Sequence, residues 1–192
     1  MARLELGKAD LEFSRRLLTN VFRTRDWYAN ARRPMILAGE FPDGFDTDGP
    51  GKNKHDAYWH MFNNRFKPVQ ESCVELQSLK CEAEALWGPE VVTCIERLLK
   101  CCRSLQSAME VTLNIYAASG PPDKLEQSAR QFEKQLYDFG REITVDGREG
   151  AENSFTVAMK FAVDAIEQHV RGKLMQKPTV RNFDAKPKPS NV

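Results

Sequence analysis

Histidine and carboxylate side chains carry much of enzyme and metal chemistry, and their spacing in this chain fits no such site. The three histidines are His55, His60 and His169. A carboxylate-bridged metal site in a helical bundle needs Glu-x-x-His pairs, because ligands three residues apart on a helix meet one ion. The chain has no such pair, and His55 and His60 do not share a helix face. The sequence therefore predicts no metal site, and we interpret His169 as a hydrogen-bonded residue at the edge of an apolar helix face.

Two short stretches resemble ligand-binding loops but lack their decisive residues. Gly51-Lys52 resembles the end of a phosphate-binding loop, but Asp46 stands where the leading glycine is needed and Asn53 replaces the Ser or Thr. The stretch 46–49 resembles the opening of a calcium loop whose later ligands are absent. No G-x-S-x-G nucleophile elbow occurs. We therefore expect no cofactor and no catalytic residue, which favours a protein that is not an enzyme but leaves that question open.

The cysteines indicate reduced thiols. They are five in number and include no C-x-x-C spacing, which argues against a zinc ribbon or a redox motif. Thiols used as small core residues are typical of a reducing compartment, so we predict a cytoplasmic location. No run of about 18 apolar residues is present, and charges interrupt the first eleven residues, so we expect neither a membrane span nor a signal peptide in this chain.

The N-terminal region carries a dense group of arginines within residues 15–33. A nucleic-acid-binding protein would use them to neutralise phosphates. The net charge of only +1 instead favours pairing with acids of the segment 39–56 and of other helices. Arg25, Arg32 and Trp27 remain candidate contacts for a partner, because Arg and Trp anchors are common in protein interfaces. The six arginines are Arg15, Arg16, Arg23, Arg25, Arg32 and Arg33.

The segment 39–56 is expected to be a long irregular loop, because Gly, Pro and Asp interrupt any periodicity. Loops of this length in compact domains are either functional or disordered. The segment carries Phe41 and Phe45, and Tyr58 and Trp59 begin the helix that follows. Exposed aromatic side chains either fold back onto the protein or meet a partner. We take these four residues as the centre of a candidate interaction surface, with packing over the end of the bundle as the alternative.

Apolar residues recur every three or four positions in four long stretches, which predicts amphipathic helices at 57–86, 89–118, 123–144 and 152–175. Asp56 is a candidate N-cap for the first. Pro68 lies inside that stretch, so we expect a kink or a junction of two helices there. A further helix at about 8–32 is expected to end near Arg33-Pro34. No alternating strand pattern competes with these helices.

The same spacing assigns core positions. We expect Leu76, Leu99, Phe132 and Ile166 to be fully buried on facing helices. Positions nearer the helix ends that the spacing also assigns to apolar faces include Leu11, Leu86, Phe139 and Leu174.

Helices joined by short turns prefer antiparallel neighbours. We therefore predict an all-α fold, an antiparallel bundle of four main amphipathic helices with the N-terminal helix packed along it. A length of 192 residues and a hydrophobic fraction of 41% fit one globular domain, which we place at 1–176. Residues 177–192 are rich in Lys and Pro and are expected to form a disordered tail.

The functional prediction rests on the absence of a catalytic pattern. We expect a non-catalytic protein-interaction, scaffold or sensor module that associates with itself as a homo-oligomer or binds another protein. The second hypothesis is a helical protein that contacts nucleic acid through the arginines of the first helix. The third is an enzyme whose site forms only between subunits, from carboxylates together with His169 or His60.

Overall fold

The computed structural model describes residues 2–45, 51–117, 132–139 and 152–175, with side chains described within 8–37, 39–45, 55–117, 132–139 and 152–175. Every regular element in these ranges is helical, so the predicted all-α fold is confirmed. The elements are α1 (Ala2–Ala31), a turn of 3₁₀ helix (Ala38–Glu40), α2 (Gly51–Trp87), α3 (Pro89–Ala117), a short helical stretch α4 (132–136) and α5 (Ser154–Met175).

Four long helices form a ring in which each packs on its two neighbours, in the order α1, α2, α3, α5 and back to α1. Side-chain pairs give their directions. Arg16 binds Glu82 at 2.5 Å, whereas Arg23, further along α1, binds Glu75, which precedes Glu82 in α2. These two helices are therefore antiparallel. The N-terminal helix expected to lie along a bundle is thus one of the four helices of this ring.

Two of the helices bury residues spaced seven apart, which is the period of helices that cross at about 20°. In α2 the innermost line consists of Phe62, Val69, Leu76 and Ala83. In α3 it consists of Val91, Leu98, Leu105 and Thr112. Because one line stays turned inward from Phe62 to Ala83 and another from Val91 to Thr112, the faces beside these lines are also continuous.

The connection between α2 and α3 is the single residue Gly88. Its φ of +86° is left-handed, a conformation that an L side chain rarely adopts, and its amide donates to the Glu84 carbonyl at 2.9 Å. Pro89 then occupies the first position of α3, where its missing N–H costs nothing. The boundary predicted between the helices at 57–86 and 89–118 is confirmed.

Helix α2 differs from its prediction in two ways. It begins at Gly51, so the irregular loop expected to reach residue 56 ends earlier. It also runs through Pro68 as one helix rather than two. Residues on either side of the proline are buried, with Arg65 at 4% and Val69 at 0% exposure. Packing of both turns against neighbouring helices opposes the loss of one backbone hydrogen bond.

The core prediction holds in the middle of the helices and fails at their ends. Leu76, Leu99 and Ile166 are buried as expected, whereas Phe132 is half-buried. Four end positions assigned to the apolar faces are exposed instead: Leu11, Leu86, Phe139 and Leu174. Trp87, immediately after Leu86, and Tyr137, two residues before Phe139, are buried. One residue rotates a helical side chain by about 100°, so a small change at a helix end exchanges which side chain is covered.

Several predictions lie outside the described residues. They are most of the helix predicted at 123–144, the tail at 177–192, and the stretch 46–50. No helix within the described ranges is long and apolar enough to span a bilayer.

Candidate interaction groove

A groove runs along the outer surface between α2 and α3, which we call the α2/α3 groove. It consists of two adjoining depressions of about 370 Å³ each, which share Phe66, Gln70 and Gln106. The α2 side includes two lines spaced seven apart, Trp59-Phe66-Cys73 and Asn63-Gln70-Gln77. The other α2 residues of the lining are His55, Phe62, Lys67, Val74 and Ser78. The α3 side is built from Leu99, Cys102, Arg103, Gln106, Met109, Glu110, Leu113 and Asn114.

The floor of the groove is apolar and its α2 edge exposes large apolar side chains. Leu99 and Cys102 lie on the floor at 3% and 2% exposure. Val74 is 65% exposed and Trp59 is 52% exposed. A contiguous apolar surface of this kind on a water-facing helix pair is typical of an interaction site.

Neutral amides outnumber charges on the rim. Asn63, Gln70 and Gln77 lie on the α2 side, and the Gln106 amide on the α3 side donates to the Glu110 carboxylate at 3.0 Å. The charged side chains of the rim are Lys67, Arg103 and Glu110. An amide both donates and accepts, so this rim can bind polar groups of either kind.

Two thiols meet on the floor of the groove. Interaction with the neighbouring Cys102 thiol lowers the pKa of Cys73, as does Arg103 to a smaller extent. The same interaction, together with burial, raises the pKa of Cys102. Cys102 is buried, whereas Cys73 is half-buried.

Aromatic rings predicted to form an interaction surface converge at one end of the groove. The Phe41 ring lies 4.6 Å from Phe45 and 5.6 Å from Tyr58, measured between centroids. Tyr58 in turn contacts Tyr116 and Phe62, and Phe62 also lines the groove. Phe41 and Tyr58 are half-buried against the core, whereas Trp59 points into the groove. Three of the four predicted aromatics thus cover the bundle end, and the fourth lies in the groove.

Arg65 of α2 fixes the chain that carries Phe41. Its guanidinium donates to both Glu40 carboxylate oxygens at 2.9 and 2.6 Å and to the carbonyls of Arg33 and Met35. The hydrogen bond from Arg65 lowers the pKa of Glu40. Sequence reasoning missed this arginine. The available signal was its position seven residues before Ser72 and fourteen before Leu79, both buried.

Arg32 lies inside the molecule, not on the surface predicted for it. It is 1% exposed and donates to the Leu136 carbonyl at 2.9 Å, to Thr156 Oγ1 at 2.7 Å and to Asn153 Oδ1 at 2.7 Å. Asp138 lies 3.6 Å from the guanidinium. Asn153 also accepts from the Phe155 amide and so caps α5. Arg32 therefore joins the end of α1 to the end of α4 and to the start of α5, and its charge is used within the chain.

The other predicted residues of α1 do not join the aromatic cluster. Arg25 contacts its neighbours, pairing with Asp26 at 2.7 Å and lying over the Phe22 ring at 5.1 Å. Trp27 is 39% exposed and makes no ring contact with the aromatic cluster in the described part of the chain. Ion pairs of Arg16, Arg23 and Arg33 with α2 or with Glu40 confirm the interpretation that these arginines bind acids of the same chain.

A second depression, of about 390 Å³, lies beside Arg32 between α1 and α5, and we call it the α1/α5 cleft. Its rim is charged, with Arg25, Asp26, Lys160, Asp164 and Glu167. The Tyr28 ring lies behind it and is 1% exposed. The α1/α5 cleft is similar in volume to each of the two depressions of the α2/α3 groove, and it differs from them in the chemistry of its rim.

The histidines do not come together. His55 contacts Asp56 and His60 contacts Asn64, each at 2.9 Å. The hydrogen bond expected for His169 is not found at Nε2, which is buried without a partner among the described residues, and burial lowers the pKa of this ring. Within those same residues no group of three or more His, Cys, Asp or Glu is arranged to hold a metal ion.

Comparisons of the chain with protein-family models, curated proteins and solved structures find no match.

Proposed function

We propose that the protein is a non-catalytic interaction module that binds a helical protein surface in the α2/α3 groove and associates with itself. The observation that supports this most is the apolar floor of the groove, flanked by exposed Trp59 and Val74 and rimmed by neutral amides. From Trp59 to Gln77 the groove is about 27 Å long at 1.5 Å per residue. An apolar surface of this length along two adjacent helices suits a helical partner laid against it.

The nucleic-acid hypothesis has less support. Arg16, Arg23 and Arg33 bind carboxylates of the same chain, and Arg32 is buried. These charges are not available for phosphates unless the ion pairs open. A cytoplasmic location stays part of the proposal, supported by the five free thiols.

Photo-crosslinking tests the proposed surface. Val74 and Val111 are a matched pair, since both are exposed valines on neighbouring helices and only Val74 lines the groove. Each is replaced in turn by benzoylphenylalanine, and the full chain is irradiated in the cells that produce it. We expect a discrete protein adduct from position 74 and none from position 111. The yield of the adduct from position 74 should also decrease when Gln70→Arg is introduced in the middle of the groove.

Failure to obtain an adduct from position 74, or equal adducts from both positions, would contradict the proposed function. A melting curve for each variant establishes that the compared chains are folded, so that a negative result reports on the surface rather than on stability.

A further inference from the structure

Opposite charges flank the centre of the groove on α3. Arg103 lies three residues before Gln106 and Glu110 lies four residues after it, so each is about one helical turn from the centre. At about 100° per residue the two side chains leave the helix within about 20° of the same direction. Along the α3 side of the groove the side chains are therefore positive at Arg103, neutral at Gln106 and negative at Glu110.

A comparable arrangement on α2 is centred on Gln70. Lys80 of α2 binds Glu96 of α3 at 2.5 Å, and Cys73 of α2 contacts Cys102 of α3. These two contacts define the antiparallel register of the two helices. The same register places Gln70 at the level of Gln106. Phe66 and Val74 then lie four residues before and after Gln70. Asn63 and Gln77 lie seven residues before and after it.

We infer that the occupant of the α2/α3 groove is a second copy of this chain, related by a two-fold axis that crosses the groove at the level of Gln70 and Gln106. This inference rests on the proposed function and names its partner. Rotation about such an axis lays α2 antiparallel on the partner's α2 and α3 antiparallel on the partner's α3. An isologous contact of this kind requires a self-complementary surface.

The groove meets that requirement. The rotation brings Glu110 to the partner's Arg103 and Arg103 to the partner's Glu110, giving two equivalent ion pairs. Phe66 meets the partner's Val74, so the apolar parts also face each other. Gln70 meets its own copy, and an amide pairs with an amide because each both donates and accepts. An unrelated partner would need none of this symmetry.

Charge reversal on the purified full chain tests the inference, with mass in solution measured by sedimentation velocity. In Arg103→Glu and in Glu110→Arg alone, both cross-axis pairs become repulsive, and we expect the dissociation constant of the homodimer to rise at least about tenfold. Arg97→Glu is the matched control, since Arg97 is exposed on α3 outside the groove. It should leave the dissociation constant unchanged.

Mixing the two single variants gives the decisive measurement. A heterodimer of Arg103→Glu with Glu110→Arg restores both attractive pairs, so equimolar mixing should return dimer that neither variant forms alone. The double variant in one chain should dimerise like the native protein. Thermal melting of every variant checks that the fold is intact.

Three results would overturn the inference. They are a native chain that is monomeric at high micromolar concentration, single variants that dimerise normally, and a mixture that stays monomeric. A monomeric chain with a position-74 adduct of another mass would leave the proposed binding at the groove standing and would remove self-association and the second copy as the partner. Absence of both dimer and adduct would remove both.

Discussion

The α1/α5 cleft and the α2/α3 groove both lie where two antiparallel helices meet, and they differ in what joins the helices. Between α1 and α5, Arg32 reaches across and is bonded to backbone and side-chain oxygens. Between α2 and α3 the floor holds the short side chains Cys73 and Cys102. The first site has a mostly charged rim, whereas in the second neutral amides outnumber charges around the apolar surface. The chemistry of the rim, rather than the size of the depression, distinguishes the two sites.

The α1/α5 cleft and the α2/α3 groove are expected to differ most in how much their arginines, Arg32 and Arg103, contribute to the free energy of unfolding. Arg32→Ala removes the hydrogen bonds donated to the Leu136 carbonyl, Thr156 and Asn153, so we expect a loss of about 3–5 kcal/mol in the free energy of unfolding. Arg103→Ala removes an exposed side chain of the groove and should change it by less than about 0.5 kcal/mol. Urea titration at a concentration where the chain is monomeric gives both values. Equal losses would show that Arg32 is no more structural than Arg103.

A smaller difference is expected for the carboxylates Glu40 and Glu110. Glu40→Gln removes the charge that Arg65 binds, and we expect a loss of about 1.5–3 kcal/mol at neutral pH. Because the pKa of Glu40 is lowered in the folded state, its contribution is present above the unfolded pKa and disappears as the pH falls through the folded value. The gap between native protein and Glu40→Gln should therefore close below about pH 4.

Glu110→Gln provides the control for this pair, since Glu110 is exposed in the groove and accepts a hydrogen bond only from Gln106 among the described contacts. At a concentration where the chain is monomeric, its effect on stability should be near zero. A gap for Glu40→Gln that persists unchanged in acid would show that the ion pair with Arg65 is not its cause. Denaturant titrations across pH 3–7 separate these outcomes.

The smallest difference is expected for two aromatic residues. Phe41→Ala removes a half-buried ring from the aromatic cluster and should lower stability by about 1–2 kcal/mol. Trp59→Ala removes a ring that is 52% exposed and should leave stability within about 0.5 kcal/mol while weakening self-association. Melting curves and sedimentation are measured on the same samples. If Trp59→Ala destabilises the fold as much as Phe41→Ala, both rings merely cover the bundle end.

Helix positions and the central core could be predicted from the sequence because they depend on short-range spacing. The helix predicted at 89–118 corresponds to Pro89–Ala117, and Leu99 and Leu105 on its apolar face are buried. The helix ends were less predictable, since the exposure of Leu86 or Leu174 depends on which neighbouring element reaches that far. The start of α2 was missed because Gly51 and the polar residues after it resemble a loop in composition.

The sites were harder to predict because their partners are distant in the sequence. Arg32 is separated from Leu136 by 104 residues, and no local pattern indicates that its guanidinium is buried. Arg65 depends in the same way on carbonyls at Arg33 and Met35. For the groove, the sequence does contain a pattern, the seven-residue spacing of Asn63, Gln70 and Gln77. That spacing becomes informative only when α3 is known to lie beside it.

The single-residue connection at Gly88 has a consequence for the order of folding. Closing a chain over one residue costs far less entropy than bringing together groups about a hundred residues apart, as Arg32 and Leu136 require. The hairpin of α2 and α3 should therefore form early, and the contact between α1 and α5 late. The groove belongs entirely to the early hairpin. Two chains that meet through it can begin to assemble before either has completed its own bundle.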